Sequence, residues 1–202
     1  MDALEKLKQQ YTHCTRCPAL CQSCSRVVFG SGNPRAEVLL IGEGPGAEED
    51  KQGIPFCGSS GKVLQDLLAT IGLTRDDVFI TNTILCRPEN NRNPTSEEVE
   101  NCRQRLDQLI GIIQPKVIVT IGNFATERIL NKKGITSLRG KVFKVMIQGQ
   151  ERQVIPVIHP ANYLYNGRNP VMWEAMKKDF QVIARTIKTI NENKLQKDLR
   201  QF

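Results

Sequence analysis

Apolar residues along this chain occur in two kinds of stretch. Short unbroken runs at 37–42, 78–85 and 116–122 end in glycine or polar residues, and runs of that length bounded by turn residues predict buried strands. Between them the apolar positions recur at helical spacing. Val63, Leu64, Leu67, Leu68 and Ile71 share one face of a helix predicted over 59–71. A longer helix opens at Thr95-Ser96-Glu97-Glu98, where Thr95 and Glu98 have capping-box spacing, and runs to about Ile113 before Gln114-Pro115 stops it. Residues 2–12 read as a helix, and Asn123 is placed to cap a short one ending at Leu130. Segments 142–147 and 153–158 suit further strands, and 172–190 is a closing amphipathic helix. The polar tail 191–202 is expected to fray. Strands alternating with helices predict an α/β fold, a largely parallel sheet covered on both faces, with ligands gathering at the carboxyl ends of the strands.

With 202 residues, 40% of them hydrophobic, the chain is long enough for one substantial core. A single domain over 1–202 is expected, with 1–26 forming a helix and a cysteine-rich segment. Lys and Arg outnumber Asp and Glu by 28 to 21, a formal net charge of +7 that favours a polyanionic partner such as nucleic acid. The start, Met1-Asp2-Ala3-Leu4-Glu5-Lys6, mixes charges where a signal peptide needs an apolar run, and no later stretch approaches a membrane span. The expectation is an intracellular, cytoplasmic protein with no membrane partner. Seven cysteines in such a protein point to metal binding before disulfides. Four are grouped as Cys14-Thr15-Arg16-Cys17 and Cys21-Gln22-Ser23-Cys24, and Cys57, Cys86 and Cys102 are scattered.

Three polar loops follow three apolar strands, so Glu43, Asn82 and His159 are expected at one edge of the sheet. Taken singly, Asn82 also reads as a turn residue bonding its own backbone, and His159 as structural. A carboxylate, an amide and an imidazole together signal an active site. Gly42-Glu43-Gly44-Pro45-Gly46-Ala47 fits the dinucleotide pattern, but its context does not. Pro45 and Glu48-Glu49-Asp50 put negative charge where a pyrophosphate sits, no helix is expected to start there, and the next strand ends in Asn82 instead of an acid. The stretch Gly58 to Val63 fails as a phosphate loop, with Phe56 where glycine is required and Val63 in place of a magnesium-binding hydroxyl.

Several separated motifs in order carry a resemblance over nearly the whole chain. They are Gly42-Glu43-Gly44-Pro45-Gly46 with Gly53-Ile54-Pro55-Phe56, then Asn82, then Cys86-Arg87-Pro88 with Asn91-Arg92-Asn93-Pro94-Thr95, and finally His159-Pro160-Ala161. This set resembles the family-four, iron–sulfur type of uracil-DNA glycosylases. The resemblance implies a three-layer α/β/α sandwich around a central, mainly parallel four-stranded sheet. It implies a monomeric repair enzyme that flips uracil out of double- or single-stranded DNA and hydrolyses its N-glycosidic bond, leaving an abasic site.

By the same resemblance Glu43 and His159 are catalytic, and Gly44, Gly46, Glu49, Phe56, Asn82 and Asn91 line the substrate pocket. Phe56 is the stacking ring, Asn82 the base-reading amide, and His159 the donor to uracil O2. Cys14, Cys17, Cys86 and Cys102 correspond to the ligands of a [4Fe-4S] cluster. Cys21 and Cys24 depart from the family pattern, and with Cys14 and Cys17 they also suit a local zinc site. Cys57 reads as a packing residue. Tyr163 or Leu164 is expected to act as the wedge that fills the gap left by the extruded base. Arg87, Arg92, Arg139 and Arg168 are either phosphate contacts or solvated charges. Two alternative functions stay open: a related glycosylase for another deaminated base, and a non-cleaving iron–sulfur module that senses DNA damage.

Overall fold

The β2 strand, Val38–Gly42, is buried at every position, and its side chains alternate between two cores. Leu39 and Ile41 belong to one apolar cluster, Val38 and Leu40 to another, as the two-residue period of a strand requires. The computed structural model describes residues 2–199. On the first face the strands are covered by helices α1 (Ala3–Thr12) and α5 (Ser96–Ile113), through Leu7, Tyr11, Leu106, Leu109 and Ile110. On the second they are covered by α4 (Ser59–Ala69) and α9 (Pro170–Leu199), through Leu64, Leu67, Leu68, Met176, Phe180 and Ile183. The result is the expected three-layer α/β/α arrangement.

The sheet has six strands in the order β1-β3-β2-β4-β6-β5. Its centre consists of four parallel strands: β3 (Val78–Asn82), β2, β4 (Val117–Ile121) and β6 (Gln150–Val157). The expectation of four strands is therefore corrected to four parallel strands plus two antiparallel edges. One edge, β1 (Ser31–Gly32), pairs with β3 and is two residues long, too short to show any period. The other, β5 (Phe143–Ile147), forms a hairpin with β6. Gln148 and Gly149 at its turn have φ of 51° and 76°, both positive, as the tight turn favoured in hairpins demands.

Helix α5 begins as read: the Thr95 hydroxyl accepts the Glu98 N–H at 3.2 Å, and Glu98 accepts the Thr95 N–H at 2.8 Å. Other boundaries differ. The strand predicted to reach Leu85 ends at Asn82; beyond it Thr83 and Ile84 donate to the carbonyls of Gly42 and Glu43. Gly122, with φ of 85°, caps α6 (Asn123–Leu130), so Asn123 is its first residue and not its cap. The tail expected to fray continues as helix to Leu199. Asn191, at its start, accepts from Lys116 and donates to Glu37, both beside the first turn of the sheet strands; residues 200–202 lie outside the described residues. Among the described residues no helix is long and apolar enough to cross a membrane.

Candidate active site

Parallel strands deliver their carboxyl ends to one edge, and cross-strand register aligns them. Gly42 is opposite Asn82 at the ends of β2 and β3, and Glu43 follows Gly42. On the far side of β4, His159 comes two residues after the end of β6, and Gly122 lies beside it. A cavity of about 550 Å³ opens at this edge. Glu43, Gly44, Gly46, Glu49, Phe56, Asn82, Asn91 and His159 all line it, so the expected pocket residues meet around a single space.

Asn82 is 1% exposed, and its Oδ1 is buried without a hydrogen-bond partner. An unpaired buried acceptor costs about 1–3 kcal/mol, so this atom is poised for a ligand donor. Its space exists because residue 42 is glycine. A Cβ there would stand 2.4 Å from Oδ1 and 2.6 Å from the Phe56 ring.

Phe56 holds its place through a left-handed backbone, φ 51°, a conformation that costs a non-glycine residue about 1–3 kcal/mol and persists only where neighbours enforce it. Arg75 is the enforcer. Its Nη1 donates to the Phe56 carbonyl at 2.9 Å and its Nη2 to the Pro55 carbonyl at 2.7 Å. Gly61 closes the other side, since a Cβ there would fall 1.8 Å from the Phe56 oxygen. The Phe56 ring stacks at 5.6 Å on the imidazole of His159.

His159 caps α8 (Pro160–Tyr165): its Nδ1 accepts the Ala161 N–H at 3.1 Å. The neutral ring therefore carries its proton on Nε2. Burial holds the imidazole pKa down to about 4, with Glu49 pulling weakly the other way, so the ring is neutral near pH 7. Burial also raises the pKa of Glu43 above the ordinary carboxylate range. Glu43 thus offers a half-buried carboxyl and His159 a neutral N–H donor to the same cavity.

Two of the pocket residues are also bonded within the protein. A short helix, α3 (Ala47–Gln52), does start after the glycine-rich turn, where none was expected. Glu49 occupies its amino end: one carboxylate oxygen accepts the Gly46 N–H at 3.1 Å, the other the Gly58 N–H at 2.9 Å. With its donors taken by a protein carboxylate, that turn is closed to a pyrophosphate, which removes the dinucleotide reading on different grounds. Glu49 pins two loops together across the pocket. Asn91, with φ 54°, accepts from Arg87 Nε at 2.8 Å.

The wedge candidates are not at the cavity. The segment after His159, expected as a loop, is α8, and Tyr163 and Leu164 pack against the second core, Tyr163 with its ring 5.4 Å from that of Trp173. Tyr165, one residue further, is 85% exposed and lines the cavity mouth. A six-residue helix sends successive side chains in different directions, which a loop reading could not foresee. Of the loop arginines, Arg92 is paired with Glu98 and Arg139 with Asp179. Arg75 was not singled out in the sequence; nothing in Thr74-Arg75-Asp76 marks it as reaching back to Phe56.

Cys86 and Cys102 are buried in the first core, and Cys14, Cys17 and Cys24 pack against it. Burial raises the thiol pKa of Cys17, Cys102 and Cys86; Cys17 and Cys86 each feel Cys102, and Cys102 feels Cys14. Cys14 and Cys17, in the loop before and at the start of α2 (Pro18–Ser23), Cys86 after β3 and Cys102 on α5 thus border the same core from distant segments, a soft donor set whose chemistry suits a polynuclear cluster. The Cys21 thiol instead donates to the Cys14 carbonyl at 3.2 Å, and Cys24 hydrogen-bonds Cys86. Among the described residues no three His, Cys, Asp or Glu side chains are close enough to hold a single ion.

A family profile described as the Uracil DNA glycosylase superfamily matches residues 29–185. A Type-4 uracil-DNA glycosylase of Sulfurisphaera tokodaii is 43% identical over 189 residues, 91% of this chain and 84% of that protein. A second, from Archaeoglobus fulgidus, is 41% identical over 91% of this chain and 93% of its own length. A Type-5 uracil-DNA glycosylase of Thermus thermophilus is 34% identical over a shorter stretch, 55% of this chain and 57% of its own.

Proposed function

This chain belongs to the uracil-DNA glycosylase superfamily, within its type-4 branch, and from that membership we propose that it excises uracil from DNA with Asn82 reading the base and Glu43 and His159 serving the bond that breaks. The observation that carries the reading is the buried, unpaired Oδ1 of Asn82 in a cavity shared with that carboxylate and that imidazole.

A base must leave the stack before a glycosylase can reach its bond. In the pocket, Asn82 accepts from uracil N3–H and donates to O4 while Phe56 covers the ring face. Cytosine presents the opposite pattern at those atoms and leaves buried groups unpaired, the kind of mismatch that binding discriminates against most strongly. As the glycosidic bond lengthens, negative charge develops on the uracil and positive charge on the sugar. The Nε2–H of neutral His159 donates to O2, and a preorganised donor in a dry site stabilises the leaving anion without reorganising. Glu43 balances the sugar's positive charge and orients the attacking water.

Cys14, Cys17, Cys86 and Cys102 would hold a [4Fe-4S] cluster, which when bound supplies a covalent tie between the amino-terminal segment, the exit of β3 and α5. Tyr165, exposed at the mouth, is a better wedge candidate than Tyr163 or Leu164. The protein acts as a monomer on DNA inside the cell, and the excess of Lys and Arg supports phosphate contact. Retention of Glu43, Asn82 and His159 around one cavity favours catalysis over a non-cleaving sensor.

The test uses an oligonucleotide with one uracil, incubated with purified holoprotein and treated with alkali. Strand breaks at the uracil are expected with the native protein and depressed about 10²–10³-fold in His159→Ala. Full activity in both His159→Ala and Glu43→Ala would reject the mechanism.

A further inference from the structure

Arg105, on α5, is the largest side chain wholly sealed inside the protein, at 0% exposure. A guanidinium keeps its charge in an interior, and removing it from water without an anion is costly. Among the described residues no carboxylate pairs with it, since Asp107 is engaged by Arg128. Its bonds go elsewhere. Nη1 donates to the Thr81 hydroxyl at 3.0 Å, and Nη2 donates to the carbonyls of Asn82 at 2.6 Å and Thr83 at 3.2 Å. These neutral acceptors position the group but do not neutralise it, and Nε has no partner.

A candidate for the missing anion stands on the same helix. Cys102 precedes Arg105 by three residues on the same helix, one turn away. A cluster bound through four thiolates carries net negative charge, so a cation at the Cys102 corner offsets it.

We propose that Arg105 is a positioning residue joining the cysteine-bound cluster to the base-reading end of β3, acting at once as the cluster's buried counter-cation and as the clamp on the Asn82 and Thr83 carbonyls. The clamp extends past Asn82. Thr83 donates to the Gly42 carbonyl through both its N–H and its hydroxyl, at 2.8 and 2.9 Å, and Ile84 donates to the Glu43 carbonyl at 3.1 Å. The guanidinium, Asn82 and Glu43 are thus held by one continuous set of bonds. The inference rests on the iron–sulfur and glycosylase readings above.

The test compares native holoprotein with Arg105→Lys and Arg105→Met, measuring iron content, the midpoint potential of the cluster, and kcat and KM for uracil release. Lysine keeps a cation but cannot fork across two carbonyls. Arg105→Lys is expected to retain iron at nearly native potential, with kcat down about tenfold and KM little changed. Arg105→Met removes the charge, and its cluster is expected to become harder to reduce, shifting to more negative potential. Native kcat in Arg105→Lys overturns the clamp, and native potential in Arg105→Met overturns the counter-cation. Should the methionine variant not fold, Arg105→Gln, which also removes the charge, is measured in its place, and native potential in it overturns the counter-cation. Native protein without iron would overturn the cluster reading together with this inference; native protein with iron but no uracil release would overturn the glycosylase reading alone, leaving the counter-cation to be judged by the potential.

Discussion

Nδ1 of His159 accepts the backbone N–H of Ala161 at 3.1 Å, which fixes the neutral ring with its proton on Nε2. Because the folded-state pKa is about 4, below the ordinary value of about 6.5, the ring stays neutral from pH 8 down to about 5. Glu43 behaves oppositely: its pKa lies above the ordinary carboxylate range, and it must be ionised to face a positive sugar. The rate of uracil release is therefore expected to fall as the pH is lowered through the raised pKa of Glu43, with His159 contributing no limb between pH 5 and 8. Single-turnover rates from pH 4 to 9 check this. Glu43→Gln should be slower by about 10²-fold or more and should lose the acid limb.

The same depressed imidazole bears on stability. The unfolded chain binds a proton between pH 6.5 and about 4 that the folded chain refuses, so the stability from a neutral His159 is complete above about 6.5 and erodes as the pH falls toward 4. Denaturant melts at pH 7 and pH 5 should differ more for the native protein than for His159→Gln.

Gly42 and Asn82 meet across strands with no room for a Cβ between Gly42 and Oδ1. Gly42→Ala is expected to displace the Asn82 amide or the Phe56 ring, at about 1–3 kcal/mol of overpacking. Activity should drop further than the melting temperature suggests, because the strain falls on the base-reading group. Parallel measurements of the melting temperature and of kcat/KM decide it; native kcat/KM would show that the amide is not the reader.

Much of this site was legible in the sequence because parallel strands turn sequence-distant residues into neighbours. Once 37–42, 78–85 and 153–158 are read as parallel strands, Glu43, Asn82 and His159 have to share an edge. The side chains that hold them were not legible. Arg75 and Arg105 act through backbone carbonyls, and a carbonyl partner leaves no trace in residue type. Tyr163 and Tyr165 differ only by which face of a short helix they occupy, and one turn of helix has no readable period. The strand β1 escaped for the same reason at two residues.

Tyr165 is exposed at the cavity mouth while Tyr163 packs on Trp173. Tyr165→Ala should slow release from double-stranded DNA more than from single strands, with the melting temperature unchanged. Tyr163→Ala should lower the melting temperature, with a loss of unfolding free energy of about 3–5 kcal/mol at most, and affect both substrates alike. Equal losses on both substrates in Tyr165→Ala would remove it as the wedge.

The central claim is that one cavity holds uracil between Asn82 and His159, and a crystal structure of the protein with free uracil tests it most directly. The expected complex has N3–H on Asn82 Oδ1, O2 on His159 Nε2 and the ring against Phe56. Uracil seated with Asn82 Oδ1 still unpaired, or with O2 turned away from His159, would contradict it.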